Sequence, residues 1–329
     1  MSKKILLSAV ATFILASFHL AQAQQAKKIP RIGYLSGRGD PSTPDPLVEA
    51  FRQGLRDLGY IEGKNILVEY RYAEGKLDRI PSLVAELVQL KVDVLVSATP
   101  GAIRAAKQAT KTIPIVMLTN VDPVATGIVV SLARPGGNIT GLARFTTELS
   151  GKRLELLKEM VPRISRVGIL WDADDPAAAT GFKEYEAAAP ALKIQLQSLE
   201  VRGPNPDLEG AFQAAAKERA SVLITVRSTL LLRYPKRTAD LAIKNRLPSI
   251  YAGSDFVEAG GLVSYSSNDA ESFKRAATYV DKILKGAKPS DLPVEQPTKF
   301  ELVINVKTAK QIGLAIPPNF LARADKVIR

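Results

Sequence analysis

The turn at Ala98-Thr99-Pro100 carries the groups of this sequence best suited to bind a small anion. It follows the almost purely apolar run 92–97, which is typical of a strand buried on both faces, and it precedes an alanine-rich run typical of a helix. Thr99 is a suitable N-cap and Pro100 a suitable first helical residue, so free backbone N–H groups would point into the turn. Such a helix start binds carboxylates and phosphates. The alternative is an ordinary connection between a strand and a helix.

Histidine and cysteine chemistry is excluded by the composition. The sequence has one histidine, His19, near the amino terminus, and no cysteine. Beyond that segment the chain therefore lacks a histidine general base, a cysteine nucleophile and the usual zinc or copper ligands. No paired carboxylates suggest another catalytic arrangement. The sequence predicts neither an enzyme nor a metal or cofactor site.

The first 23 residues resemble a cleavable secretory signal. A basic start at residues 1–4 is followed by the apolar run 5–20, and Ala21-Gln22-Ala23 places small residues where a signal peptidase reads them. The run is short for a membrane anchor, which is the alternative. With no cysteine for a disulfide or a lipid, we expect cleavage after Ala23 and a mature protein free in the periplasm.

The net charge of +12 falls to +10 when Lys3 and Lys4 leave with the signal. Basic proteins often bind nucleic acid. Here, however, the lysines and arginines are spread along amphipathic helices, and an exported chain meets little nucleic acid. We therefore interpret the charge as a solvated surface and expect no nucleic-acid partner.

Strand and helix patterns alternate from residue 31 and then repeat. Apolar strand-like runs at 31–35, 65–70, 92–97 and 113–118 have counterparts at 166–171, 194–201, 221–226 and 247–251. Each run ends in a polar turn, such as the one after Ser36 or the one from Thr119 to Pro123. Two such series predict two similar α/β lobes with doubly wound parallel sheets, which bind ligands beyond the carboxyl ends of their strands.

The last part of the chain is expected to cross between the lobes. It contains a strand at 260–265, a helix capped by Asn268 and ending at Gly286, a proline-marked linker and a strand at 300–306. Several crossings would make a multi-stranded hinge that lets the lobes close on a ligand. We expect lobe 1 to hold residues 29–142 and 257–290, and lobe 2 to hold 143–256 and 291–329.

Several motifs resemble the ABC transporter substrate-binding proteins often labelled tryptophan/tyrosine-binding. They are the segments 51–60, 98–100, 122–123, 134–141, 256–261, 283–289 and 300–305, and together they span most of the mature chain. The resemblance implies a type I periplasmic-binding-protein fold. It also implies a ligand held between the lobes and passed to an ABC permease of the inner membrane.

The resemblance also implies binding positions. It places Thr99, with the backbone behind it, at the carboxylate of an amino-acid-like ligand and Asp122 at the ammonium group. An Asx turn before Pro123 is the alternative role of Asp122. The remaining candidates follow the other strands or belong to the same turns: Ser36, Ala98, Pro100, Thr119, Asp172, Arg227, Ser228 and Tyr251.

Two details affect the choice of ligand. Arg227 stands where relatives that bind amino acids often have an acidic or amide residue, which raises the alternative of a ligand with a second carboxylate. Trp171 and Tyr251 are able to stack on an aromatic ligand, although core packing is the more frequent role of such residues.

These observations predict an exported, monomeric solute-binding protein that captures a small polar, amino-acid-like ligand. The alternative is a ligand-sensing lobe pair of a membrane receptor or regulator. Repressors share this architecture, but their DNA-binding helices stand where this chain has its signal.

Overall fold

The computed structural model describes residues 28–37, 39–43, 45–144 and 148–329. The predicted signal, 1–23, lies outside these residues. Among the described residues, no helix is both long enough and apolar enough to span a membrane.

The first half of the chain alternates strands and helices. Its elements are β1 Arg31–Ser36, α1 Pro46–Asp57, β2 Leu67–Tyr72, α2 Ile80–Gln89, β3 Val94–Ser97, α3 Pro100–Ala109, β4 Ile115–Thr119 and β5 Ile139–Ala143. The five strands form a parallel sheet in the order β2-β1-β3-β4-β5. This sheet is the centre of lobe 1.

The second half repeats this scheme and then extends it. Its elements are α4 Glu148–Met160, β6 Arg166–Asp172, α5 Pro176–Ala188, β7 Gln195–Val201, α6 Leu208–Lys217, β8 Val222–Thr225, α7 Pro235–Lys244, β9 Ser249–Tyr251, α8 Ser254–Glu258, β10 Val263–Ser267, α9 Asp269–Leu284, β11 Phe300–Asn305, α10 Val306–Ile312, α11 Pro318–Leu321 and β12 Lys326–Ile328. The sheet of lobe 2 has the order β12-β11-β10-β9-β8-β6-β7, in which only the β10–β11 pair is antiparallel.

The repeat predicted from the sequence is confirmed by the strand order. The order β7-β6-β8-β9-β10 in lobe 2 matches β2-β1-β3-β4-β5 in lobe 1. Apolar side chains cover both faces of each sheet. Because both faces are buried, central strands such as β3, β4 and β8 read as continuous apolar runs, whereas the strands β2 and β7 contain polar residues.

The expected lobe boundaries are wrong in two places. Residues 257–267 were assigned to lobe 1, but β10 pairs with β9 and β11 and so belongs to the sheet of lobe 2. Residues 291–295 were assigned to lobe 2, but Glu295 bridges to Leu142 and Val294 is buried against the lobe 1 core. An apolar pattern predicts a buried strand but not the sheet that this strand joins, because either sheet satisfies the same backbone hydrogen bonds.

Between residues 28 and 329, the described segments pass from one lobe to the other three times, as the expected hinge requires. One crossing follows β5, the second joins β10 to α9, and the third leads from Glu295 to β11. Helix α9 packs on α1 in the core of lobe 1, although it directly follows a strand of lobe 2. Asn268 caps this helix by accepting a hydrogen bond from the backbone N–H of Glu271 at 3.0 Å, which confirms the expected N-cap.

The contact between α1 and α9 depends on Gly54. A Cβ atom at this position would lie 2.4 Å from the carbonyl oxygen of Lys274 and 2.9 Å from Cβ of Ala277. The absence of a side chain therefore permits the close approach of the two helices. Lobe 1 needs this approach because α9 covers one face of its sheet.

We predict that Gly54→Ala destabilises the protein by about 1–3 kcal/mol through overpacking, even though alanine favours helices by up to about 1 kcal/mol. The matched control is Gly151→Ala in α4, where the nearest atom would be Cβ of Ala188 at an ordinary 3.7 Å. We expect this control to be neutral or stabilising. Urea unfolding of both variants measures the difference, and equal stabilities would show that the α1–α9 contact tolerates a methyl group.

Candidate functional site

Two adjoining cavities lie where the carboxyl ends of the parallel strands of both lobes meet. The first, which we call the helix cavity, lies at the start of α3, and the second, the charged cavity, lies between the turn after β4 and helices α4 and α5. Asn120, Arg144 and Arg227 line both cavities. The loop-bearing edges of the two sheets therefore face each other, as the sequence predicted.

The helix cavity brings together six of the predicted binding residues. They are Ser36, Ala98, Thr99, Pro100, Arg227 and Ser228. Thr99 is the N-cap of α3, since its hydroxyl accepts a hydrogen bond from the backbone N–H of Ala102 at 3.3 Å. Leu47, Leu232 and Phe273 add apolar surface to this cavity. The predicted helix start is thus confirmed, and it opens into a partly apolar space.

The charged cavity contains two predicted residues, Asp122 and Arg227, and several ionisable groups that the sequence analysis missed. These are Arg144, Arg153, Glu184 and Asp269. Asp122 and Arg144 belong to lobe 1, whereas Arg153 on α4 and Glu184 on α5 belong to lobe 2. The cavity therefore presents positive and negative groups from both lobes.

Asp269 joins two arginines at the boundary between the cavities. Nη1 of Arg144 donates to its Oδ1 at 2.5 Å, and Nη2 of Arg227 donates to its Oδ2. Nη1 of Arg227 also lies 3.6 Å from Oδ2 of Asp255. The charge of Arg227 is therefore already compensated by carboxylates of the protein. This pairing argues against a second ligand carboxylate at Arg227, which the sequence raised as an alternative.

Asp122 forms an Asx turn, the alternative role that the sequence suggested for it. It also lines the charged cavity. Its Oδ1 accepts hydrogen bonds from the backbone N–H groups of Val124 and Ala125 at 2.8 and 3.1 Å. No described residue donates a hydrogen bond to its other oxygen, Oδ2. Asp122 thus shapes its loop with one oxygen and has a second one available.

Glu184 is the carboxylate of lobe 2 in the charged cavity. The hydroxyl of Ser150 donates to it at 3.0 Å. Burial raises the pKa of Glu184, the hydrogen bond from Ser150 and the nearby Arg153 charge lower it, and the Asp122 charge raises it further. Two carboxylates from opposite lobes therefore influence each other across this cavity.

Arg153 is held in a fixed orientation at the wall of the charged cavity. Its Nε donates to the carbonyl oxygen of Tyr265 at 2.9 Å, and its Nη1 donates to the hydroxyl of Tyr185 at 3.2 Å. Only 8% of the residue is exposed. Both acceptors are neutral, so these bonds orient the guanidinium without neutralising it.

Three predicted binding residues line neither cavity. Thr119 is buried and its hydroxyl bonds to the backbone of Val121, which shapes the turn. Asp172 is buried and has a side-chain hydrogen bond with Ser228, and burial raises its pKa. Tyr251 is fully buried and stacks on Phe256 at 5.0 Å in the core of lobe 2. Their position at strand ends was recognised correctly, but their side chains point under the loops or into the core.

Trp171 also lies away from both cavities. It stacks on Phe182 at 5.1 Å, and its Nε1 donates to the hydroxyl of Ser198 at 2.8 Å. The more frequent role of such residues, packing within the protein, therefore applies to both Trp171 and Tyr251.

The sequence indicates a position near the cavities for some of the missed residues but not for others. Asn120 lies inside the turn that was already singled out, and Arg144 directly follows β5, so the strand-end rule would have found both. Arg153 and Glu184 lie within helices and have no turn signal. Among the residues that the structure describes, no group of three or more His, Cys, Asp or Glu side chains is placed to bind a metal.

Comparison with known proteins agrees with this geometry. Residues 41–328 match the family described as ABC transporter substrate binding protein. A tyrosine-binding protein of Clostridioides difficile strain R20291 is 26% identical over 289 residues, which cover 88% of this chain and 82% of that protein.

Two solved structures are similar in sequence and in fold. A conserved domain protein of Vibrio cholerae O1 biovar El Tor has a TM-score of 0.83 and 29% identity, covering 91% of this chain and 100% of that one. An ABC domain of Streptococcus pneumoniae in complex with L-Trp has a TM-score of 0.80 and 25% identity, covering 90% and 100%.

The expected fold, that of the type I periplasmic binding proteins, is confirmed. The family match extends over most of the sequence and includes every described strand except β1, which precedes residue 41. The chain therefore belongs to the ABC transporter substrate-binding protein family, and it is a binding protein rather than an enzyme, as its sequence predicted.

Proposed function

We propose that this protein is exported to the periplasm and, as a monomer, captures an amino-acid-like zwitterion for an ABC permease of the inner membrane. The observation that carries this proposal is the charged cavity, which presents Asp122 and Glu184 together with three arginines. A zwitterion pairs with groups of both signs, whereas a neutral sugar would offer no charge to Asp122, Glu184 or Arg153.

The side chain of the ligand has space in the helix cavity. Leu47, Leu232 and Phe273 line it next to the charged cavity, and Arg144 and Arg227 border both. One relative is named for tyrosine and one similar structure contains L-Trp. We therefore propose an aromatic amino acid as the ligand, with its ammonium and carboxylate groups in the charged cavity and its ring in the helix cavity.

Asp122 is proposed to bind the ammonium group of the ligand. It already accepts two backbone hydrogen bonds through Oδ1, so its carboxylate is held in place before the ligand arrives. Such preorganisation reduces the entropy lost on binding. Because Asp122 belongs to lobe 1 and Glu184 to lobe 2, an ammonium group between them would also favour closure of the lobes.

We predict that one or more aromatic amino acids raise the melting temperature of the purified mature protein. A ligand at 1,000 times its Kd stabilises a protein by about 4 kcal/mol. Asp122→Asn should keep the loop hydrogen bond but weaken binding about 10-fold or more, because the charge on the ligand's partner is lost. Asp207→Asn is the matched control, since Asp207 also accepts a backbone N–H, that of Gly210, outside both cavities.

Calorimetric titration of both variants measures this difference. Equal affinities in Asp122→Asn and wild type would remove Asp122 from the ammonium site. Binding of a neutral sugar without binding of any amino acid would contradict the proposed function itself.

Export has a separate test. We expect that the full-length chain, expressed in a Gram-negative host, yields a mature protein beginning at Gln24, which amino-terminal sequencing detects. Ala23→Phe should leave the precursor uncleaved because signal peptidase requires a small residue there. Ala26→Phe, beyond the expected cleavage point, is the control, and its processing should match that of the wild type.

A further inference from the structure

We infer that Arg153 binds the carboxylate of the ligand and that Glu184 shares the ammonium group with Asp122, so that the site selects free α-amino acids. The inference rests on the proposed function and makes it more specific. It also moves the carboxylate away from Thr99, where the family resemblance placed it.

Arg153 is a buried cation that no carboxylate of the described residues contacts directly. Among the described residues, no carboxylate oxygen lies within 4.0 Å of its guanidinium, and Nη2 donates to none of them. The residue is 8% exposed and lines the charged cavity. A buried charge without a counterion is costly, and an anion that enters the cavity would remove that cost.

The other two arginines of the charged cavity do not offer the same site. Arg144 and Arg227 both donate to Asp269, and Arg227 has Asp255 nearby as well. A carboxylate placed there would compete with charges of the protein. Within the part of the chain that the structure describes, Arg153 is bonded only to a carbonyl and a hydroxyl, both neutral, so a carboxylate is complementary to it.

The dimensions of an α-amino acid connect this site to the ammonium group. The carboxylate carbon lies only about 2.5 Å from the ammonium nitrogen, because two bonds separate them. If the ammonium group lies at Asp122, the carboxylate is expected to lie in the charged cavity beside it. Thr99 lines only the helix cavity, whereas Arg153 lines the charged cavity together with Asp122.

Glu184 completes the arrangement. Its carboxyl group is close enough to Arg153 and Asp122 for both charges to affect its pKa, and it accepts a hydrogen bond from Ser150. A cation between Glu184 and Asp122 would relieve their repulsion. The ammonium and carboxylate groups of one ligand would thus contact two carboxylates and one arginine of the protein, and both lobes would contribute to binding.

The test uses L-tyrosine and L-tryptophan with matched analogues that lack one charged group. Tyramine and tryptamine lack the carboxylate, and 3-(4-hydroxyphenyl)propionate and indole-3-propionate lack the ammonium group. In wild-type protein we expect each analogue to bind about 30-fold or more weakly than its amino acid, because each leaves a buried charge unpaired.

The variant Arg153→Gln should weaken binding of the amino acids by about 30-fold or more while leaving tyramine and tryptamine nearly unaffected. A merely structural role would weaken all ligands equally. Lys152→Gln, on the same helix but exposed and paired with Glu155, is the matched control and should bind like the wild type. Arg153→Lys keeps the charge and should recover part of the affinity.

Each result decides between the proposals. If Arg153→Gln binds the amino acids like wild type, or if wild type binds tyramine as tightly as tyrosine, the carboxylate site at Arg153 is wrong and the proposed function stands. If wild type binds none of the twenty amino acids, both are wrong. The comparison of analogues uses wild-type protein and so remains decisive even if the variants do not fold.

Discussion

The ion pairs of Asp269 with Arg144 and Arg227 hold the centre of this structure together. Arg144 follows the last strand of lobe 1, Asp269 begins the helix that returns to lobe 1, and Arg227 follows a strand of lobe 2. All three side chains are mostly buried. Because breaking a buried pair leaves an uncompensated charge, this cluster strongly favours one arrangement of the residues that separate the two cavities.

The charge balance around this cluster explains how the cleft can be both polar and stable. Asp269 and Asp255 together balance the charges of Arg144 and Arg227, which lie at the boundary between the two cavities. Arg153 and Glu184, in contrast, are oriented by neutral partners, Tyr185 and Ser150 among them. In the proposed site, the charge of Arg153 would face the ligand, and binding of a carboxylate there would recover the cost of burying that charge.

The two lobes supply the rigid background that such a site needs. Each sheet is covered on both faces by apolar side chains, and the residues that line the two cavities lie on turns and on helices beyond the carboxyl ends of the strands. Close packing at positions such as Gly54 fixes α9 on lobe 1, and α9 begins with Asp269. The packing of the lobe 1 core therefore fixes the position of the Asp269 carboxylate through helix α9.

The sequence by itself determined the repeated α/β pattern, the two lobes and the cap at Thr99, because these depend on local periodicity and on hydrogen bonds between near neighbours. Strand-end reasoning also found Asp122 and Arg227. Only the tertiary structure decided that Tyr251 packs in the core and that Arg153 lines the cavity. The physical reason is that helix faces and strand partners are chosen by contacts between residues distant in the chain, which no local pattern records.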